Sequence, residues 1–163
     1  MRQVDLLELA DFNYWANRKL LAACEQLTPD QWTSTNTPSA RTLRGTLVHA
    51  LDTEWSWRLR LQDPVVPGDG EDMREEDFAT VASLAEAWAS DETEMLSWLN
   101  SLSDADLEQE VTVPWGREFV RWRLIVHLLS HSTQQRAEAA TLLTLAGHSP
   151  GDIEFLNYIS RSP

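Results

Sequence analysis

The sequence predicts an all-α fold: a four-helix bundle with a crossover connection, a small hairpin before the last long helix and a short C-terminal helix. Three observations predict it. Four long segments repeat apolar residues at helical spacing. Stretches containing Pro and Gly separate them. Only one short region, within residues 111–122, carries β-prone runs. Helices with one apolar stripe each bury those stripes against one another, and a bundle does this with the fewest elements. The 163 residues suit one domain, 1–163, with a substantial core.

The first helix is expected over 3–27, with a stripe of Leu6, Leu9, Ala16, Leu20, Ala23 and Leu27, widened by Phe12 and Trp15. Asn13 and Asn17 fall on or beside that stripe. Thr28-Pro29-Asp30 ends the helix and starts a single turn, PDQW. A second helix follows over 42–62, with Val48, Leu51, Trp55 and Leu59 as its apolar face and His49 at the edge of that face. Gly45 weakens this helix by about 1 kcal/mol relative to Ala. A steric reason for it is expected, namely room around the His49 ring. Residues 63–79 are rich in Pro, Gly and acid and read as a surface loop. The third helix spans about 80–101, following Leu84, Ala87 or Trp88, Asp91, Met95, Trp98 and Leu102. VTV (111–113) and EFVRW (118–122), separated by Pro114-Trp115-Gly116-Arg117, read as a hairpin. The fourth long helix runs from Trp122 to Gly147, a good residue to follow a helix end. Residues 152–161 close the chain as a short helix.

Charge narrows the partners. Lys+Arg 13 against Asp+Glu 26 gives a net charge of −13. A surface this acidic is repelled by nucleic-acid phosphates and anionic membranes, so neither is expected as a partner. A small-molecule substrate is expected instead. Cys24 is the one cysteine, so no internal disulfide forms, and its leucine neighbours mark it as a buried core residue. The opening residues carry no secretory signal, and no apolar run approaches the ~20 residues of a membrane span. A cytoplasmic location is expected.

The residues most suited to chemistry lie on the last long helix. His127, His131 and Gln135 are spaced four apart and share one face. The core seam of that helix is read as Leu124, Leu128, His131, Gln135, Ala139 and Leu142, with His127 displaced to its flank. Polar groups on a core-facing stripe need a partner or a ligand. His49 is the natural cross-helix partner. Two or three histidines with open positions suit a late divalent metal, zinc or nickel. Histidines satisfied by one another are the alternative that spacing alone leaves open. His148, in the turn after Gly147, reads as a surface residue. Several chemistries are excluded by pattern: no His-Glu-x-x-His, no Glu-x-x-His, no Gly-rich phosphate loop and no Cys-x-x-Cys occurs.

Three stretches, taken together, resemble a known family. They are Tyr14-Trp15-Ala16-Asn17-Arg18-Lys19-Leu20-Leu21; Thr42-Leu43-Arg44-Gly45-Thr46-Leu47-Val48-His49; and His131-Ser132-Thr133-Gln134-Gln135-Arg136 through Leu142-Leu143 to Gly147 and Asp152. In this order they resemble the DinB/YfiT-like superfamily of four-helix bundles, described as metal-dependent. The resemblance implies a metal triad with one His on the second helix and a His-x-x-x-His pair on the last. His49 matches the first ligand and His131 the second. The third position falls on Gln135, since Gln135-Arg136-Ala137-Glu138 stands where His-Arg-Gly-Gln is the pattern. Three outcomes follow: a site of His49, His131 and Gln135; a site shifted to recruit His127; or no metal. The resemblance further implies thiol-dependent transfer with a low-molecular-weight thiol, or hydrolysis by metal-activated water, with Trp15, Trp55 and Trp122 walling an apolar pocket. A non-catalytic, stress-related ligand-binding bundle is the alternative. The resemblance also implies a homodimer.

Overall fold

The structure is a computed structural model that describes residues 1–63 and 73–161. The surface loop expected over 63–79 lies mostly outside the described residues. Its last part contains a single 3-10 turn, Glu75–Asp77.

Helix α1 spans Gln3–Cys24. It stops short of Leu27, because Thr28 begins a new start signal. The Thr28 hydroxyl accepts from the Gln31 amide at 3.2 Å, while the Thr28 amide donates to the Gln31 side chain at 2.8 Å. Pro29 then opens the one-turn helix α2, Pro29–Trp32. Helix α3 spans Leu43–Gln62 and is capped by Thr42, whose hydroxyl accepts from the Gly45 amide at 2.8 Å. Helix α4, Val81–Ser101, is capped in the same way by Thr80. A second one-turn helix, α5 (Asp104–Leu107), is capped by Ser103 and was not anticipated from the pattern. Strands β1 (Glu110–Thr112) and β2 (Glu118–Val120) pair antiparallel, with Val111 opposite Phe119. Helix α6 spans Arg121–Leu145. It ends with Gly147 at φ +88°, where the His148 amide donates to the Leu143 carbonyl at 2.8 Å and the Gly147 amide to Thr144 at 3.0 Å. Helix α7, Phe155–Ile159, closes the chain.

The four long helices form the bundle. α1 packs against α4 and α6, and α3 packs against the same two, so α1 and α3 are diagonal to one another. The α1–α3 connection therefore crosses the bundle, as the sequence reading expected. Among the described residues no helix is long and apolar enough to cross a membrane.

Two faces differ from the sequence reading. On α3, Trp55 and Leu59 are only half-buried, while Glu54 and Arg58 are 1% and 6% exposed. On α6, the buried seam carries Ser132 and Arg136, at 0% and 2%, rather than His131 and Gln135, which are half-buried on its flank. In both helices a polar side chain takes the inward position, because a partner on another helix satisfies it.

Candidate functional site

The packing of α3 on α6 brings the His49 and His131 rings together. Their centroids are 5.1 Å apart and the planes meet at 77°. Gln135, one turn after His131, places its Nε2 at 3.4 Å from His131 Nε2. With that imidazole nitrogen unprotonated, the amide donates to it. His131 Nδ1 and Gln135 Oε1 are buried and have no hydrogen-bond partner among the described residues. Burial first, then the charges of His49, His127 and Arg41, push the His131 pKa below its ordinary value. Its ring is therefore neutral at pH 7, the form in which an imidazole ligates.

His127 stands apart from this group. It is exposed and packs its ring against Trp57 at 5.5 Å, and Trp57 also meets Trp115 at 6.1 Å. His148 is half-buried in the turn after α6. Cys24 is fully buried, and burial pushes its thiol up to about 12, so it offers no nucleophile at neutral pH.

A cleft of about 440 Å³ opens beside His49, bounded by Arg41, Thr42, Gly45 and the Met73–Glu76 segment. Its lining is polar. Trp15, Trp55 and Trp122 are not among its walls; Trp15 packs on Phe12 and Tyr158 at 6.1 and 5.7 Å. Gly45 has a steric reason, and it differs from the expected one. A Cβ there would meet Thr42 Oγ1 at 3.0 Å and Glu75 Oε2 at 3.1 Å. Gly45 thus makes room for the Glu75 carboxylate, which accepts from the Thr42 hydroxyl at 2.5 Å and lies 3.7 Å from Arg44 Nε.

Two imidazoles and one amide meet on this patch, and two of their polar atoms lack a partner. That donor chemistry fits a late divalent metal with open positions. It falls short of a full protein triad: among the described residues, no group of three or more His, Cys, Asp or Glu is placed to hold a metal. The amide oxygen of Gln135 is the third donor available.

Directly inward from this patch lies a cluster that the sequence reading missed. The Glu54 carboxylate, at the bundle centre, accepts from four side chains on three other helices. Asn13 and Asn17 of α1 donate at 2.8 and 3.3 Å, Trp88 Nε1 of α4 at 2.9 Å, and Ser132 of α6 at 2.7 Å. The oxygens of the same two asparagines accept from Arg136 Nη1. Each Asn amide therefore bridges a buried carboxylate to a buried guanidinium. A second buried pair lies nearby: Arg58 donates to Asp91 Oδ1 through Nε at 2.9 Å and Nη2 at 2.7 Å. Asn13 and Asn17, polar and one turn apart on an apolar stripe, were the one sequence signal that pointed to this network.

A four-helix bundle with a crossed connection and a histidine pair between its second and fourth long helices is the class that the fold and site define. The comparisons with known proteins specify it. The DinB family model matches residues 1–162, and the chain belongs to that family. Bacillus subtilis YizA, an uncharacterised protein, is 23% identical over 130 residues, covering 77% of this chain and 78% of YizA. Among solved structures, YfiT from Bacillus subtilis superimposes with a TM-score of 0.68 at 16% identity, over 90% of this chain and 89% of YfiT. YfiT is described as a probable metal-dependent hydrolase with an unusual four-helix bundle topology. A DinB-like protein from Bacillus cereus gives a TM-score of 0.64 at 17% identity, over 86% and 92% of the two chains.

Proposed function

We propose that this chain is a metal-dependent enzyme of small-molecule chemistry, with His49 and His131 as nitrogen ligands and Gln135 Oε1 as a weak third donor. The observation that supports the reading is the ring-to-ring approach of His49 and His131 beside two buried polar atoms that lack partners. A metal held there supplies Lewis acidity, polarising a carbonyl or phosphoryl oxygen and lowering the pKa of a water or thiol. The chain's own residues do the rest. The depressed pKa of His131 keeps a lone pair available at neutral pH. Gln135, whose Nε2 donates to His131 Nε2 in the metal-free chain, would turn its amide to present Oε1 and leave the lone pair to the metal. The cleft beside His49, lined by charges of both signs at Arg41, Arg74, Glu75 and Glu76, admits a small polar substrate. His127 lies one turn beyond as a support on Trp57. The description of YfiT favours hydrolysis. Transfer to a low-molecular-weight thiol uses the same residues, and adding such a thiol to the assay separates the two.

A second reading, a ligand-binding bundle without metal, is favoured by one observation: Gln135 already occupies His131 Nε2. Metal analysis of tag-free protein decides between them. The expected result is weak zinc or nickel binding by the wild type, lost in His131→Ala. Gln135→His should bind on the order of tenfold tighter or better, as an imidazole replaces an amide oxygen. If neither the wild type nor Gln135→His retains metal, the enzyme reading falls and the second reading stands.

A further inference from the structure

A second cleft, of about 250 Å³, lies between α1 and α6. Leu129 and Thr133, which line it, each stand two residues from His131 and so lie roughly 200° around α6, on the opposite side of the helix from that ring. The cleft is therefore separate from the histidine patch. Its walls are apolar, chiefly Leu9, Phe12, Val126 and Leu129, and Arg136 lies in its floor.

Arg136 is 2% exposed, so its guanidinium is almost wholly out of bulk water. A buried cation requires anionic or polar partners for its donors. The Glu54 network is closed at its carboxylate end, where both oxygens accept. It is open at the Arg136 end. Of the five N–H donors of an arginine, Nη1 donates to Asn13 and Asn17 and Nη2 to Thr133 at 2.8 Å. All three acceptors are neutral, and Glu54, the charge that offsets the guanidinium, is bound through the two asparagines. Nε donates no hydrogen bond among the described residues, so its N–H is left for an outside acceptor. Burial lowers the Arg136 pKa to about 10, so the cation persists at neutral pH.

We propose that the cleft between α1 and α6 is a binding site for a small organic carboxylate with an apolar ring or short chain, anchored by the Arg136 guanidinium. The carboxylate accepts from the Nε–H. The apolar part lies along Phe12, Val126 and Leu129. A phosphate dianion fits poorly, because one buried guanidinium cannot satisfy its charge in an apolar cleft. This site is independent of the metal reading and stands or falls separately.

The test is a titration of isotope-labelled, metal-free protein with benzoate and hexanoate, followed by amide chemical shifts. Benzamide and hexanamide serve as uncharged controls. The expected result is saturable shifts at Leu9, Phe12, Val126, Leu129 and Thr133, with the carboxylates binding roughly tenfold to a hundredfold tighter than the amides, the worth of a charged hydrogen-bond acceptor. Leu129→Trp fills the cleft from a half-buried position and leaves Arg136 in place; it should abolish binding while the helical circular dichroism is kept. Arg136→Gln should lose the preference for carboxylate over amide, and where that variant does not fold, Leu129→Trp decides. No saturable shifts, equal binding of amide and carboxylate, or binding unchanged in Leu129→Trp each overturns the proposal.

Discussion

Two polar clusters occupy neighbouring positions on the same pair of helices and are satisfied to opposite degrees. Glu54 on α3 and Ser132 on α6 belong to the inner one. His49, five residues before Glu54, and His131, adjacent to Ser132, belong to the outer one. In the inner cluster every carboxylate oxygen accepts, and the four donors come from three other helices. In the outer cluster His131 Nδ1 and Gln135 Oε1 are buried without hydrogen-bond partners among the described residues. A closed network holds four helices in one register, since sliding any of them breaks a bond to a buried charge. An open one leaves donor atoms for something outside the chain. The difference separates the residues that specify the bundle from those available to a ligand.

Removing the centre of the closed cluster has the largest expected effect. Glu54→Ala leaves Arg136 buried without its compensating charge and four donors without an acceptor. A loss of about 3–5 kcal/mol is expected from breaking a buried charge arrangement of this kind, read as a lower midpoint in urea unfolding. Glu54→Gln keeps the shape but turns one acceptor group into a donor facing other donors, so it should also destabilise, though less. A Glu54→Ala protein as stable as the wild type would remove the distinction between the clusters.

The Arg58–Asp91 pair lies between the two extremes. Oδ1 of Asp91 takes both bonds from Arg58, and Oδ2 is buried without a partner among the described residues. Burial, only partly offset by Arg58, raises the Asp91 pKa from 3.8 to about 6. The folded protein therefore holds this proton more tightly than the unfolded chain. The resulting stabilisation is fully present below pH 4 and is lost as pH rises through 6. Asp91→Asn should flatten the pH dependence of stability between pH 4 and 6, while costing less than Glu54→Ala at pH 7. Urea midpoints across that range for both proteins measure it. A wild-type curve that rises with pH over the same window, with no change in Asp91→Asn, would show that the ion pair outweighs burial.

The bundle was legible because apolar spacing, caps and breakers are local. Thr28, Thr42, Thr80 and Gly147 each mark a helix end within a residue or two of its place. α5 was missed because four residues, Asp104–Leu107, are too few for periodicity to register. The site was legible in part. His49 and His131 were paired by their places on the two helices and by resemblance, and the α3–α6 packing brings their rings together. On α3 and α6 the predicted faces are buried at Val48, Leu51, Leu124, Leu128, Ala139 and Leu142 but were misread at Trp55 and Leu59 and at His131 and Gln135, where Glu54, Arg58, Ser132 and Arg136 point inward instead. Hydrophobicity ranks Trp55 above Glu54 for burial. Here the order inverts because Asn13, Asn17, Trp88 and Ser132 satisfy the carboxylate, and those residues lie 34 to 78 positions away in the chain. A stripe count cannot see a partner that distant. Two asparagines one turn apart on an apolar stripe are the trace such a partner leaves.

Adjacent residues on α6 give the finest comparison and the smallest effect. Ser132 donates to Glu54 at 2.7 Å from a fully buried position. Ser132→Ala removes one hydrogen bond to a charge and should cost about 1.5–3 kcal/mol. His131 is half-buried; among the described residues its Nδ1 has no hydrogen-bond partner and its Nε2 meets Gln135 at 3.4 Å. His131→Ala in metal-free protein should therefore cost under ~1 kcal/mol, partly because it relieves a buried nitrogen that nothing satisfies. Adding zinc or nickel should raise the melting temperature of the wild type and of Ser132→Ala and leave His131→Ala unmoved, since a ligand stabilises only the folded form that binds it. The order of the two apo variants carries the argument. Were His131→Ala the costlier, the imidazole would be a structural member of the bundle, and the line between the closed cluster and the open one would have been drawn one residue out of place.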